Sequence, residues 1–406
     1  MSTLAAPAPA AAREAASTPD RPLRILLIGE EHVRGKVARH YAMLEESRGI
    51  ETHYFVDDRS GITRDVARET PMRVYRAPNP AAGPSGVLAY WAAFRRCFAE
   101  VRPDVVEVYT SINFLVLFPM LLYAALRGVP RVVMCRGELY PPVFARYTPL
   151  QRRLFVRMLR MAQLVVYKEV YMEEQLARLC PSVPRLFWAN AIPVRAEPAT
   201  YARAADEVLF LNFFKEWRNL DLVVRAAAQV VRRVPGARFR LVGGTGRLAS
   251  AGVFYAGLND YERTILELID ALGLGGSVEV LPFTSEVEPY YAAAKVYLLP
   301  ADLVFCNYAL LEAMERGVPP IVSADRDPDA RRIVDDGVNG LVVPLDAAAL
   351  ADAIVALLRD EPRRQALGRA ARAKVIASFD LHRWIDELAD AYAALAARRR
   401  PAAAGG

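Results

Sequence analysis

Cysteine and histidine are scarce in this chain. Four of each occur among 406 residues, no C-x-x-C is present, and the histidines form no pair at metal-ligand spacing. A zinc site built from the protein's own side chains is not expected. Cys97, Cys135, Cys180 and Cys306 lie far apart, so a reducing compartment is the simplest setting and a cytoplasmic location is expected. Long apolar runs are missing too. The longest, FLVLFPMLLYAAL from Phe114 to Leu126, falls short of the roughly 20 residues a membrane span needs. It also contains Pro119, so a buried helix is expected there. The first residues, MSTLAAPAPAAAREAASTPD, lack a basic start followed by an apolar core and do not read as a signal peptide. Residues 1–21 are expected to form a disordered tail, as is the closing RRRPAAAGG. No basic stripe interleaved with aromatics occurs, and nucleic acid is not an expected partner. The net charge of +6 and pI near 9.1 suit an anionic ligand or an anionic membrane surface.

What is present is alternation. The length suggests two or three domains, and 53% hydrophobic with 24% charged residues is ordinary for a globular protein. LRILLIG, ETHYFVDD, DVVEVYT, PRVVMCRG and LVVYKEV read as strands separated by helical stretches. The rhythm breaks in a Pro-rich linker near Pro193 to Asp206. It restarts with EVLFLNFF, ARFRLVGG, SVEVLPF, AKVYLLP and VPPIVSA, with helices between them and after them. This is βαβ order, which predicts α/β architecture with doubly wound parallel sheets and a cleft at the carboxyl ends of the strands.

Several stretches at those ends carry chemistry. GEEHVRGK, Gly29 to Lys36, is near a P-loop, but its glycines are one residue too far apart and Val37 stands where Ser or Thr would hold magnesium. A strand-to-helix turn is the reading. VGGTGRLA, Val242 to Ala249, partly fits a dinucleotide loop and equally a plain turn. KEWRN puts Lys215 and Arg218 at a strand-to-helix turn, where a guanidinium suits phosphate; on local sequence alone a solvated charged turn is the better reading. Asn307 is a good N-cap for a helix opening at Tyr308, whose amino end favours diphosphate. Glu312 lies one turn inside, placed to accept from a ribose diol or to pair with an arginine. In QRRLFVRMLRMAQL, Arg152, Arg153, Arg157 and Arg160 share one arc, and Leu150, Leu154, Phe155, Met158, Leu159 and Met161 fill the other. Packing on its own domain is the first reading of this helix, and contact with anionic lipid the second.

Taken in order, these pieces resemble the large retaining nucleotide-sugar glycosyltransferase family with a Glu-x7-Glu signature, the glycosyl transferases of group 1. The resemblance spans about Arg24 to Leu388. It is densest in WRNLDLVVRAAAQVVRRVPGARFRLVGG, ALLEAMERGVPPIVSA and the block from DDGVNGLVVPLD to KVIASF. WANAIPV, PDVVEVYTS and PRVVMCRGE agree more loosely. The resemblance implies the GT-B fold, two Rossmann-like domains facing a cleft. An acceptor domain would occupy 22–195 and a donor domain 206–380, with a helix over 381–397 crossing back to the first domain. It implies that Glu312 binds the donor ribose, and that Arg218 with Lys215 binds diphosphate. Amides near Tyr308 and Ala309, capped by Asn307, would add to that site, Gly243 and Gly244 would keep the cleft floor open, and Phe283 would lie by the base. Neither cofactor nor metal is implied. Three positions depart from the pattern. Val304 stands where the first Glu belongs, with Asp302 nearby. Phe213 stands where an Arg is usual. Arg136 replaces a His, with Glu138 two residues on. Arg136, Glu138 and Asp302 are thus the candidates around the sugar. The implied activity is retaining transfer from a nucleoside-diphosphate sugar to a glycan, a glycolipid or a small molecule, at a membrane surface or in solution. A catalytically impaired nucleotide-sugar-binding protein is the alternative, and a sugar-nucleotide epimerase fits less well.

Overall fold

The computed structural model describes residues 21–29, 35–58, 72–110, 114–135, 137, 139, 141–169, 171–197, 199–244, 258–304, 306–323 and 333–399. Two parallel sheets organise them. The first contains β1 (Arg24–Ile28), β2 (Glu51–Asp57), β3 (Arg73–Ala77), β4 (Val105–Tyr109), β5 (Arg131–Cys135), β6 (Leu164–Tyr167) and β7 (Arg185–Phe187). Its order is β3-β2-β1-β4-β5-β6-β7. Its helices are α1 (Gly35–Arg48), α2 (Pro84–Val101), α3 (Phe114–Leu126), the short α4 (Pro141–Phe144), α5 (Pro149–Met161) and α6 (Tyr171–Leu179). The second sheet contains β8 (Glu207–Leu211), β9 (Arg238–Gly244), β10 (Val278–Pro282), β11 (Ala294–Leu299), β12 (Pro320–Ser323) and β13 (Leu341–Val343), in the order β10-β9-β8-β11-β12-β13. With it run α7 (Leu220–Arg233), α8 (Leu258–Ala271), α9 (Glu288–Ala293), α10 (Tyr308–Glu315), α11 (Ala347–Arg359), α12 (Glu361–Ser378) and α13 (Leu381–Arg399).

The strands follow from composition. The central ones, such as RILLI and VVEVY, are buried along nearly their whole length, because helices cover both faces of a parallel sheet. Each sheet reverses its winding once, between β1 and β4 and between β8 and β11. Ligands of such sheets bind outside the strand carboxyl ends at this switch point. The turn expected over Gly29 to Lys36 lies mostly outside the described residues, and α1 opens at Gly35.

The chain then returns to where it began. After α12, residue Ile192 of the linker exchanges backbone hydrogen bonds with Phe379 and Leu381, and α13 lies across α1 and the first sheet. Leu381, Ile385, Leu388, Tyr392 and Leu395 join Ile25, Leu27, Tyr41 and Val105 in one buried cluster. Arg48 pairs with Asp386 at 2.7 Å and also with Asp390, which fixes the polar side of this contact.

Two expectations change here. The run from Phe114 to Leu126 is helical but only half buried: Phe114, Leu117, Met120, Leu121 and Ala124 face the core, and Leu115, Leu122 and Leu126 face solvent. Leu150 also departs from the expected apolar arc of α5. It is exposed, and Phe155, Met158 and Leu159 make the buried face.

Candidate functional site

The second sheet's switch point gathers most of the residues singled out above. After β8 the chain turns at Asn212, whose amide Nδ2 donates to Asn307 Oδ1 at 3.2 Å. The end of β9 comes so close that a Cβ on Gly243 would sit 2.0 Å from the Asn212 carbonyl oxygen. Gly243 also has φ +133°, a conformation that favours glycine, so two constraints require it. Gly244 closes β9 and accepts the Phe283 N–H at 2.9 Å. The rest of the VGGTGRLA stretch, from residue 245, lies outside the described residues.

Arg218 closes a single 3-10 turn, Glu216–Arg218, and is only 8% exposed. Its guanidinium lies 4.3 Å over the Trp217 ring. Nε and Nη1 are buried, and among the described residues they have no hydrogen-bond partner. Burial pushes its pKa down to about 10, although nearby Tyr297 opposes this. A buried cation with unfilled donors is costly unless an anion arrives. Lys215 is half-buried and precedes the same turn. Asn219 follows it at φ +53°, and its Nδ2 donates to Asp302 Oδ1 at 3.0 Å and to the Pro300 carbonyl at 2.9 Å. The Asp302 N–H donates to the Trp217 carbonyl at 2.8 Å. Asp302 is therefore bound into the wall that carries Arg218.

α10 supplies the opposite wall. Asn307 caps it: Oδ1 accepts from Ala309 N at 3.0 Å and from Leu310 N at 3.3 Å. The Ala309 amide, expected to face phosphate, is thus engaged by the cap. Tyr308 begins the helix, and its ring meets His40 of α1 at 5.9 Å, an edge contact between the two halves. Glu312 is half-buried, and the hydroxyl of fully buried Tyr291 donates towards its Oε2 at 3.1 Å and towards the Ala309 carbonyl at 3.1 Å. Arg316 lies 4.8 Å over the Tyr291 ring. Tyr297, buried beside Tyr291, feels the charges of both Arg218 and Glu312, so it stands near the cation and the carboxylate alike.

The departures are informative. Val304 is buried in the core of the second half, an apolar side chain where the first Glu was sought. Phe213 stacks on Phe283 with ring centroids 5.2 Å apart and planes 9° from parallel. Arg136 and Glu138 lie outside the described residues. The four arginines of α5 are exposed, on the first half and not in this pocket.

A buried ion cluster was not anticipated. Glu315, fully buried, accepts Arg372 Nη1 at 2.8 Å and Arg195 Nε at 3.0 Å. Arg372 also donates to the Arg195 and Glu197 carbonyls, each at 2.9 Å. Arg195 and Arg316 share Glu288, at 2.6 and 2.7 Å. This ties α10, α12 and the linker together. The one sequence signal was Glu315 itself, three residues after Glu312 and so on a neighbouring face of the helix.

Comparison with known proteins agrees with this geometry. The sequence model of the glycosyl transferases group 1 family matches residues 202–374, and that of the glycosyl transferase 4-like domain matches residues 32–187, so together they take in most of the chain. An exopolysaccharide phosphotransferase of Streptomyces coelicolor is 27% identical over 332 residues, covering 79% of this chain and 33% of its own length. A D-inositol 3-phosphate glycosyltransferase of Saccharomonospora viridis is 34% identical over 234 residues, covering 54% of this chain and 52% of its own. The chain thus spans about a third and about half of these relatives. The solved structure of HepE from Anabaena in complex with UDP and glucose superposes with a TM-score of 0.70 over 92% of this chain and 100% of that one, at 17% identity, a likeness of fold. On the two matched models and the paired parallel sheets, this chain belongs to the glycosyl transferases group 1 family and has its GT-B fold.

Proposed function

We propose that the protein transfers a sugar from a nucleoside-diphosphate sugar, with retention of configuration, to a glycan, a lipid-linked or a small-molecule acceptor. The observation that carries this is Arg218, a buried guanidinium at the switch point of the second sheet whose Nε and Nη1 have no partner among the described residues. Arg218 and Lys215 hold the diphosphate, and their charge stabilises it as it leaves. Glu312, steadied by Tyr291, accepts from the ribose diol. The Phe213–Phe283 pair offers an apolar surface by the base. Asp302, Arg136 and Glu138 are the groups around the sugar. The acceptor attacks from the face the leaving group departs, and a phosphate oxygen takes its proton. HepE was solved with UDP and glucose, which makes UDP-sugars the first donors to try. The exposed arginines of α5 favour an anionic membrane surface as the place where the acceptor is met.

Buried, apolar Val304 favours a second reading, a nucleotide-sugar-binding protein without transfer. Thermal stabilisation by UDP, GDP, ADP and their sugars tests the site common to both. A ligand at a hundred times its dissociation constant adds about 2.7 kcal/mol. One base should stabilise the wild type and fail on Glu312→Ala; silence from every nucleotide would refute the donor pocket. Release of free diphosphate in the presence of acceptors then separates transfer from binding.

A further inference from the structure

The exposed side of α3 is the surface that donor chemistry leaves unused. Leu115, Pro119, Leu122 and Leu126 fall within an arc of about 60° at 100° per residue. All four face solvent, with Leu115 55%, Leu122 42% and Leu126 77% exposed. Apart from Tyr123, the helix has no polar side chain. Single exposed leucines are ordinary; a row of them along one helix marks an interaction surface.

The neighbours of this row are cationic. α5 packs beside α3, with the Phe114 and Phe155 rings 5.1 Å apart. It presents Arg152, Arg153, Arg157 and Arg160 to solvent, and Leu150 is 59% exposed at its start. Arg152 donates to the Ala145 carbonyl and Arg160 to the Leu179 carbonyl, which fixes the stems of these exposed side chains. Arg127 follows α3 directly and lies 4.9 Å over the Tyr123 ring. Neither α3 nor α5 contains an aspartate or glutamate.

We propose that α3 and α5 form one membrane-docking face, in which the α3 leucine row enters the acyl-headgroup boundary of an anionic bilayer while the α5 arginines hold lipid phosphates. The charge decides the occupant. A second copy of this chain, docked by two-fold symmetry on the same row, would bring two arginine faces together with no carboxylate from either helix between them. An anionic bilayer offers both the apolar layer and the counter-charge. α3 follows β4 and so begins at the carboxyl edge of the first sheet, the edge outside which ligands of such sheets bind. The docking face therefore runs up to the side where an acceptor would enter. This inference rests on the reading that the acceptor is met at a membrane, and it assigns the insertion to a helix outside the donor pocket.

Co-sedimentation of the full chain with vesicles tests it. One set is phosphatidylcholine with about a third phosphatidylglycerol, the other phosphatidylcholine alone. The wild type should bind the anionic set only. Leu115→Ser/Leu122→Ser/Leu126→Ser, with every arginine kept, should bind at least about tenfold more weakly. Leu122→Trp, a single change on the solvent side, should show blue-shifted emission with anionic vesicles, which reports insertion without relying on the triple variant. Equal binding by the triple variant and an unshifted Leu122→Trp would overturn insertion and leave arginine attraction standing. No binding by the wild type would overturn both. A wild-type dimer by light scattering that the triple variant turns into a monomer would make the row a self-association face and overturn the proposal. Nucleotide stabilisation on the same preparations reads the donor site separately, so neither failure is mistaken for the other.

Discussion

Arg218 shows how a single side chain can be poor for the fold and useful for a ligand. With its pKa brought down to about 10 by burial, keeping it charged costs the folded state on the order of 3 kcal/mol. Arg218→Met keeps an apolar stem over Trp217 and removes the buried charge. The free protein should melt no lower than wild type, and higher if the side chain packs. Nucleotide affinity should fall about a hundredfold or more, since two charge-assisted hydrogen bonds are worth about 1.5–3 kcal/mol each. Calorimetric binding and thermal melts on the same variant read both effects; a large drop in melting temperature with intact affinity would show Arg218 to be structural. At this scale the sequence exposed those residues whose neighbours in the chain define them. The positions of Asn307 and Glu312 on their helix were legible from spacing, whereas Arg218 read locally as part of a solvated turn, was singled out only by the family resemblance, and is buried in the fold. Tyr291 and Asn219 were not, because their partners stand far along the chain: Tyr291 reaches Glu312, and Asn219 reaches Asp302 across 83 residues.

The helix α10 is held from behind by ions. Glu315 on its buried side takes Arg195 and Arg372, and Arg372 reaches the linker carbonyls. The face with Glu312 can open to a ligand because the neighbouring face, with Glu315, is pinned. Removing one partner of a buried pair costs about 3–5 kcal/mol, whereas replacing the whole set by apolar groups can be neutral. Arg372→Met should therefore lower the urea midpoint strongly and loosen nucleotide binding, and Glu315→Met added to it should recover part of the loss. A double variant no better than the single would mean that the linker carbonyls, not the ion pair, carry the effect. Elements themselves were legible where burial is complete. β1, β4 and β8 read as apolar runs because helices cover both faces. The edge strands β3 and β7 did not: RVYRA exposes Arg73 and Arg76, and RLF is three residues long. α3 misled, since a charge-free sequence implies burial all round and one side of this helix faces solvent.

Across the whole molecule, the chain end is locked to the beginning by phenols. Glu107 lies fully buried on β4, and the hydroxyls of Tyr41 on α1 and Tyr392 on α13 both donate to its carboxylate. A buried carboxylate needs such donors. Desolvation first, and then the charge of Glu107, raises the pKa of both tyrosines well above 10.0. Tyr54, Tyr90, Tyr291 and Tyr297 are raised as well, mainly by burial. The sign follows. In the unfolded chain these phenols lose their protons near pH 10, and in the fold they keep them. The unfolded state thus binds fewer protons above pH 10, and stability falls there. What the neutral phenols contribute is complete below about pH 10 and is lost as pH climbs past it, by up to about 1.4 kcal/mol per pH unit for each tyrosine. Melting temperature should therefore stay level from about pH 7 to 9 and drop steeply above 10. Tyr392→Phe removes one titrating phenol and one bond to Glu107. It should melt lower than wild type at neutral pH and lose stability less steeply in the alkaline range, so that the two curves converge. Parallel curves across the range would show that Tyr392 keeps an ordinary phenol pKa in the fold, and that apolar packing of α13, not the Glu107 contact, holds the two ends of the chain together.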